Sequence, residues 1–184
     1  MLNRRIVFDL EGNNLRDECT KIHCGVIKDI DTKMIYRFWD ELPDFKHENT
    51  PYVKNFPLRR LGEFFGQTTL AIGHNVIFYD FPVMERLLDI DYTGEIQDTL
   101  VYSKVLHPDR QLPKGCPTHI LNPITGRKDK IGPHSLHAWG YRVGRGKPEY
   151  YNWETFTPEM LHRCEEDVEI NELVYYDLLR EAKL

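Results

Sequence analysis

The chain has 184 residues, 41% hydrophobic and 29% charged, with a formal net charge of −5. That suits one soluble domain, 1–184, with a core of its own, and no apolar run approaches the ~20 residues of a membrane-spanning helix. The acidic balance argues against a protein that coats nucleic acid non-specifically, though not against one that grips a strand end. Cys19, Cys24, Cys116 and Cys164 form no CxxC pair, so neither a zinc ribbon nor a disulfide framework is indicated. The first apolar run is too short for a secretory signal, and a reducing cytoplasm is the expected location.

The first predicted element is a strand over Arg4–Gly12. Side chains on a strand alternate between faces, so Asp9 and Glu11 share one side, roughly 7 Å apart. Two carboxylates at the end of an apolar strand are costly to desolvate, and a divalent cation between them would offset that cost. Taken alone, the pair fits a solvated strand end better, since so short a pattern is common by chance. Gly12-Asn13-Asn14 is a turn signal. Strands are expected at Ile22–Ile27 and Met34–Trp39, which with the first form an antiparallel meander. Asp40–Phe56, punctuated by Pro43 and Pro51, reads as loop, and Leu58–Phe65 has helical spacing.

Leu70–Asn75 reads as a buried fourth strand. Helical spacing follows over Asp80–Leu88, then a fifth strand at Ile96–Leu100 and a helical segment to Leu106. This alternation implies parallel strands with crossover helices. Asp109–Pro133 is a polar, proline-punctuated insertion carrying Arg110, Lys114, Arg127, Lys128 and Lys130. His107, Cys116, His119 and His134 in and around it do not have zinc-ligand spacing. Ser135–Val143 reads as a helix. The last helix has Thr157 as N-cap and Pro158 in its first turn, and its apolar series is Leu161, Val168, Leu173, Val174 and Leu178.

Two more acids stand out. Asp80 closes His74-Asn75-Val76-Ile77-Phe78-Tyr79-Asp80, where a strand, a turn and a helix start would aim it across the edge of the sheet. Capping that helix is the competing role. Asp167 follows His162-Arg163-Cys164-Glu165-Glu166 inside the last helix, where a solvated helix face is the competing account.

In order, the chain reads Asp-x-Glu, then Asn-x3-Tyr-Asp, then His-x4-Asp. This resembles the three motifs of the DEDD superfamily, the DnaQ-like 3′–5′ exonucleases. Thr20–Ile27, Asp98–Val101 and Ala138–Arg142 further resemble the proofreading domain of phage family A DNA polymerases. The resemblance covers almost the whole chain and implies a ribonuclease H-like α/β fold, a central mixed five-stranded sheet flanked by helices. It implies Mg²⁺ or Mn²⁺, two ions per site, on Asp9, Glu11, Asp80 and Asp167, with Asp9 bridging. The implied reaction is hydrolysis of a single-stranded DNA 3′ end to nucleoside 5′-monophosphates, by a free-standing nuclease or by the proofreading subunit of a split polymerase. The corresponding partners are the DNA end and a polymerase, in the host cytoplasm if the gene is a phage's, without a membrane. Leu10, Gly12, Asn13, His74, Asn75 and Phe78 flank the ligands as candidate substrate contacts. Lys104, Arg142 and the Arg127-Lys128 region are candidate phosphate contacts.

Branches of the superfamily place a general base in the third motif, a tyrosine four residues before the last aspartate or a histidine five before. Here those positions are Arg163 and His162, so the pattern matches the histidine (DEDDh) type. Five residues on an ideal helix rotate by about 500°, leaving the two side chains about 140° apart. The reading therefore requires an irregular helix near His162. An exoribonuclease acting on short RNA, and a non-catalytic module that binds a strand end or a polymerase, are the alternative functions.

Overall fold

The computed structural model describes residues 4–40 and 49–183. β1 (Arg4–Gly12), β2 (Ile22–Asp29) and β3 (Ile35–Trp39) form the expected meander, and β1–β2 and β2–β3 are both antiparallel. β4 (Val53–Phe56) lies parallel to β3 at one edge. After a single 3-10 turn at Leu58–Arg60, α1 (Leu61–Phe65) leads to β5 (Thr68–Gly73), α2 (Asp80–Leu88), β6 (Glu95–Asp98) and α3 (Thr99–Leu106). β5 pairs parallel with both β1 and β6. The order β4-β3-β2-β1-β5-β6 gives a mixed sheet of six strands among the described residues, not five.

The added strand is β4, inside the stretch expected to be loop. Only four residues long, it lies between Pro51 and Pro57, and its pairing with β3 supplies the ladder that its own sequence does not announce. Residues 41–48 of that stretch lie outside the described residues. The insertion also holds an unforeseen hairpin, β7 (His119–Leu121) with β8 (Lys128–Lys130). α4 (Leu136–Val143) and α5 (Pro158–Glu181) follow, capped by the side chains of Ser135 and Thr157.

Strand alternation decides what each face of the sheet does. Ile6, Phe8 and Leu10 of β1 pack with Leu61, Phe64, Phe65, Val83 and Met84 of α1 and α2. Val7 of β1 packs on the opposite face with Met160, Leu161, Cys164 and Val168 of α5. β2 is buried along its whole length because both its faces are covered. Gly25, opposite Leu10, leaves room for its side chain, since a Cβ would come within 2.6 Å of Leu10 Cδ2 and force it to move. Ile170, Val174 and Leu178 of α5 take the side chains of α4, Leu136 and Trp139. Leu173, expected in that stripe, is exposed instead. α5 is also pinned by charge: Arg37 pairs with Glu165, Arg145 with Glu166, and Lys28 with both Glu169 and Glu172. Among the described residues no helix is long and apolar enough to cross a membrane.

Candidate metal centre

Asp9 and Glu11 belong to the set of β1 side chains that faces α5, and α5 answers with Asp167. One carboxylate oxygen from each of the three lies within 4.8 Å of the others. Glu11 and Asp167 are buried and Asp9 is partly so. One turn before Asp167, the Cys164 thiol donates to the Asp9 carbonyl at 3.3 Å, fixing helix against strand at the level of the acids. Gly12 ends the strand at an irregularity in its pairing with β2. A Cβ there would sit 2.7 Å from both Cys19 Sγ and the Tyr79 hydroxyl, so a side chain at this position would displace one of them.

Asp80 approaches from the other side of β1. It opens α2, is buried, and accepts a hydrogen bond from Leu10 N at 3.1 Å. The loop that delivers it is organised by Asp98, whose carboxylate accepts from Asn75 N (3.0 Å), Ile77 N (3.1 Å) and Leu100 N (2.9 Å). Asn75 takes a left-handed φ of 69°, which an asparagine tolerates better than most residues. Asp98 thus caps α3 and shapes the turn before Asp80, a double role that needs the fold to be seen.

Burial and mutual repulsion oppose the ionised forms of Asp9, Glu11 and Asp80. Burial, then Glu11 and Asp167, pushes Asp9 well above the usual carboxylate range. Burial raises Glu11 to about 7, and burial together with Glu11 raises Asp80 to about 8. Two cations partly offset the charge. Lys147 Nζ lies 2.5 Å from Asp167 Oδ2. Arg163 Nε lies 3.2 Å from Glu11 Oε1 and 4.0 Å from Asp167 Oδ2. Asp167 Oδ1 is buried with no hydrogen-bond partner. An all-oxygen donor set with one ligand atom left over fits a hard divalent cation such as Mg²⁺ or Mn²⁺.

The other anticipated residues divide. α5 runs regularly from its Thr157 cap, so the irregularity that His162 requires is absent. His162 is exposed on another side of the helix from Asp167, and the structure does not bring it to the acids. Arg163 is there in its place. Leu10 points into the core between the sheet and α1 and α2, away from the carboxylates, and is 5% exposed. Asn13 spends its side chain on Thr20 and Lys21 in the turn. His74 lies against Thr99, Nδ1 to Oγ1 2.9 Å, and burial lowers it to about 3, so it stays neutral. Arg142 donates to Pro133 O and Gln111 O and covers the Trp139 ring, which makes it a structural residue. Phe78 is 57% exposed, with the Arg16 guanidinium 4.3 Å from its ring centre. It remains available to a substrate.

Sequence reasoning missed Lys147. It lies in the segment between α4 and α5, which returns over the site, held by Arg163 to Pro148 O (3.0 Å) and by His23 to Trp153 O (3.0 Å). Beside it is a cavity of about 210 Å³, lined by Lys147, Arg163, His137, Tyr150, Trp153, and Ile120 of β7, among others. A lone lysine in a Gly-Lys-Pro run carries no signal that it will meet an aspartate twenty positions on.

No family model matches the chain. Two curated DNA-directed DNA polymerases are similar to it, from Enterobacteria phage T3 (28% identical over 95% of this chain) and Escherichia phage T7 (27% over 95%). The chain spans about a quarter of the length of each, 26% in both cases. Among solved structures, a nuclease in its apo form matches with a TM-score of 0.61 at 14% identity, over 99% of this chain and 74% of that one. Brucella melitensis NrnC matches bound to pGG (TM-score 0.60, 14%, over 98% and 74%) and with bound Mg²⁺ (0.57, 13%, over 98% and 74%). The fold is that of these nucleases. Together with the polymerase similarity, it supports the resemblance to DnaQ-like exonucleases.

Proposed function

We propose that this chain is a divalent-metal-dependent 3′–5′ exonuclease that shortens single-stranded DNA and releases nucleoside 5′-monophosphates. The observation that carries the reading is the gathering of Asp9, Glu11 and Asp167 within 4.8 Å, with Asp80 accepting from Leu10 N between Asp9 and Glu11 in the strand. Asp9 would be the residue shared if two ions bind. Glu11 and Asp167 complete one ion's set, and Asp80 serves the other. When bound, such ions supply Lewis-acid activation of water and neutralise charge on the leaving 3′ oxygen. The protein holds its carboxylates on a strand and two helices, which keeps the reacting geometry fixed before substrate arrives. Exposed Phe78, at the rim beside Asp80, offers a ring on which a terminal base can stack.

The similarity to phage DNA polymerases favours DNA. It also admits a proofreading role beside a polymerase, either on another chain or in a longer one. A second reading, action on short RNA, draws on the likeness to NrnC bound to pGG. Matched DNA and RNA oligonucleotides, labelled at the 5′ end and incubated with Mn²⁺, separate the two. The reading expects DNA to shorten faster, one nucleotide at a time. Faster loss of RNA would transfer the assignment to an exoribonuclease.

A further inference from the structure

Lys147 and Arg163 are unusual company for metal ligands. They are only 17% and 16% exposed, and they engage the carboxylate oxygens that a divalent ion would draw on. An ion taken up by Asp9, Glu11 and Asp167 weakens those pairs. Two largely desolvated cations would then face the 210 Å³ cavity without a full partner, which is costly. Arg163 is already held in a fixed plane by Pro148 O and by the Trp153 ring, 5.0 Å from its guanidinium carbon. His137, on the same cavity, has a buried Nε2 with no hydrogen-bond partner. The anion that enters such a site during the proposed reaction is a phosphate.

We propose that Lys147, Arg163 and the cavity beside them form a phosphate subsite, which holds the phosphate of the 3′-terminal nucleotide through cleavage and as the 5′-monophosphate product. Before loading, the same two cations act as counter-ions that let the carboxylates fold into proximity. In the loaded site they turn from Glu11 and Asp167 to the phosphate oxygens. A guanidinium can present two N–H groups to a phosphate and an ammonium a point charge. The proposal rests on the nuclease reading for the identity of its ligand.

The test titrates dTMP and thymidine into the full chain with Mn²⁺ present, for the parent, R163M, R163K, K147M and K147R. Mn²⁺ affinity is measured separately by electron paramagnetic resonance, and oligonucleotide cleavage is run in parallel. The expected result is a loss of at least about tenfold in dTMP affinity for R163M and K147M, the scale of a lost charge-assisted hydrogen bond. R163K and K147R recover part of it, thymidine affinity does not change, and Mn²⁺ binds at least as tightly as to the parent. Unchanged dTMP affinity with tightened Mn²⁺ binding would overturn the proposal, leaving the two residues as carboxylate partners only. If R163M fails to fold, K147M and R163K carry the test. DNA cleavage by the parent with dTMP affinity indifferent to both cations would reject the subsite and keep the nuclease. Cation-dependent dTMP binding in a parent that cleaves nothing would keep the subsite and reject the nuclease.

Discussion

The crowding of carboxylates gives the metal-free protein an unusual pH dependence. Glu11 and Asp80 are raised to about 7 and about 8, whereas the unfolded chain ionises them near pH 4. Between those limits the folded state binds more protons than the unfolded state, so stability must fall as pH rises. In the window from about pH 7 to about pH 8.5 His74, neutral when folded, has nearly finished titrating in the unfolded chain too, while Asp9 and the buried thiols of Cys24 and Cys164, all raised by burial, add to the fall in the same direction. Across that window Asp80 contributes a loss of about 1 kcal/mol and Glu11 a few tenths. For a domain of this size that is a fall of about 3–6 °C in Tm. Scanning calorimetry in EDTA at both pH values measures it, and D80N should make the fall smaller by about the Asp80 share. With Mg²⁺ the carboxylates are held ionised in the fold, so the Tm difference between metal and EDTA should widen with pH. A metal-free Tm that stays level or climbs across the window, in the parent and in D80N alike, would refute the reasoning.

Other substitutions separate the site from its supports. H162A should keep full activity and the parent pH profile at Mn²⁺ saturation, since the side chain is exposed and away from the acids; a loss of about a hundredfold, the lower range for a general base, would restore it to the mechanism. L10A should cost about 2–5 kcal/mol of stability by opening a core cavity, read from urea unfolding, with KM unchanged in the surviving fold. F78A should do the reverse, leaving Tm in place and raising KM for an oligonucleotide by roughly tenfold through lost base stacking. D98N should lower Tm and slow cleavage together, because the loop before Asp80 and the cap of α3 hang on one carboxylate.

Much of this arrangement can be read from residue order alone. Asp9 and Glu11 break an apolar alternation at a strand end, and alternation is a local property, so their common face is legible without tertiary knowledge. Thr157-Pro158 announces the start of α5, and the helical rotation from there puts His162 and Asp167 on different sides. That angle outweighed the motif spacing that had drawn attention to His162. β4 was not legible, because four residues stand as a strand only through pairing with β3. Nor was Lys147 legible as a partner of the acids: it reaches Asp167 by way of the segment over the site, and no short-range pattern encodes that path, whereas Arg163 stands four residues before Asp167 on the same helix. Leu10 illustrates the opposite hazard. It sits between two acids of the candidate site in sequence, and the pleat turns it to the other side of the sheet.

The most direct measurement is digestion of a 5′-labelled single-stranded DNA oligonucleotide with Mn²⁺, beside a D9A control of the same chain. The account predicts a ladder that shortens from the 3′ end, releases 5′-monophosphates and is absent in D9A. An intact oligonucleotide, from folded protein whose Tm rises with Mn²⁺, would contradict it.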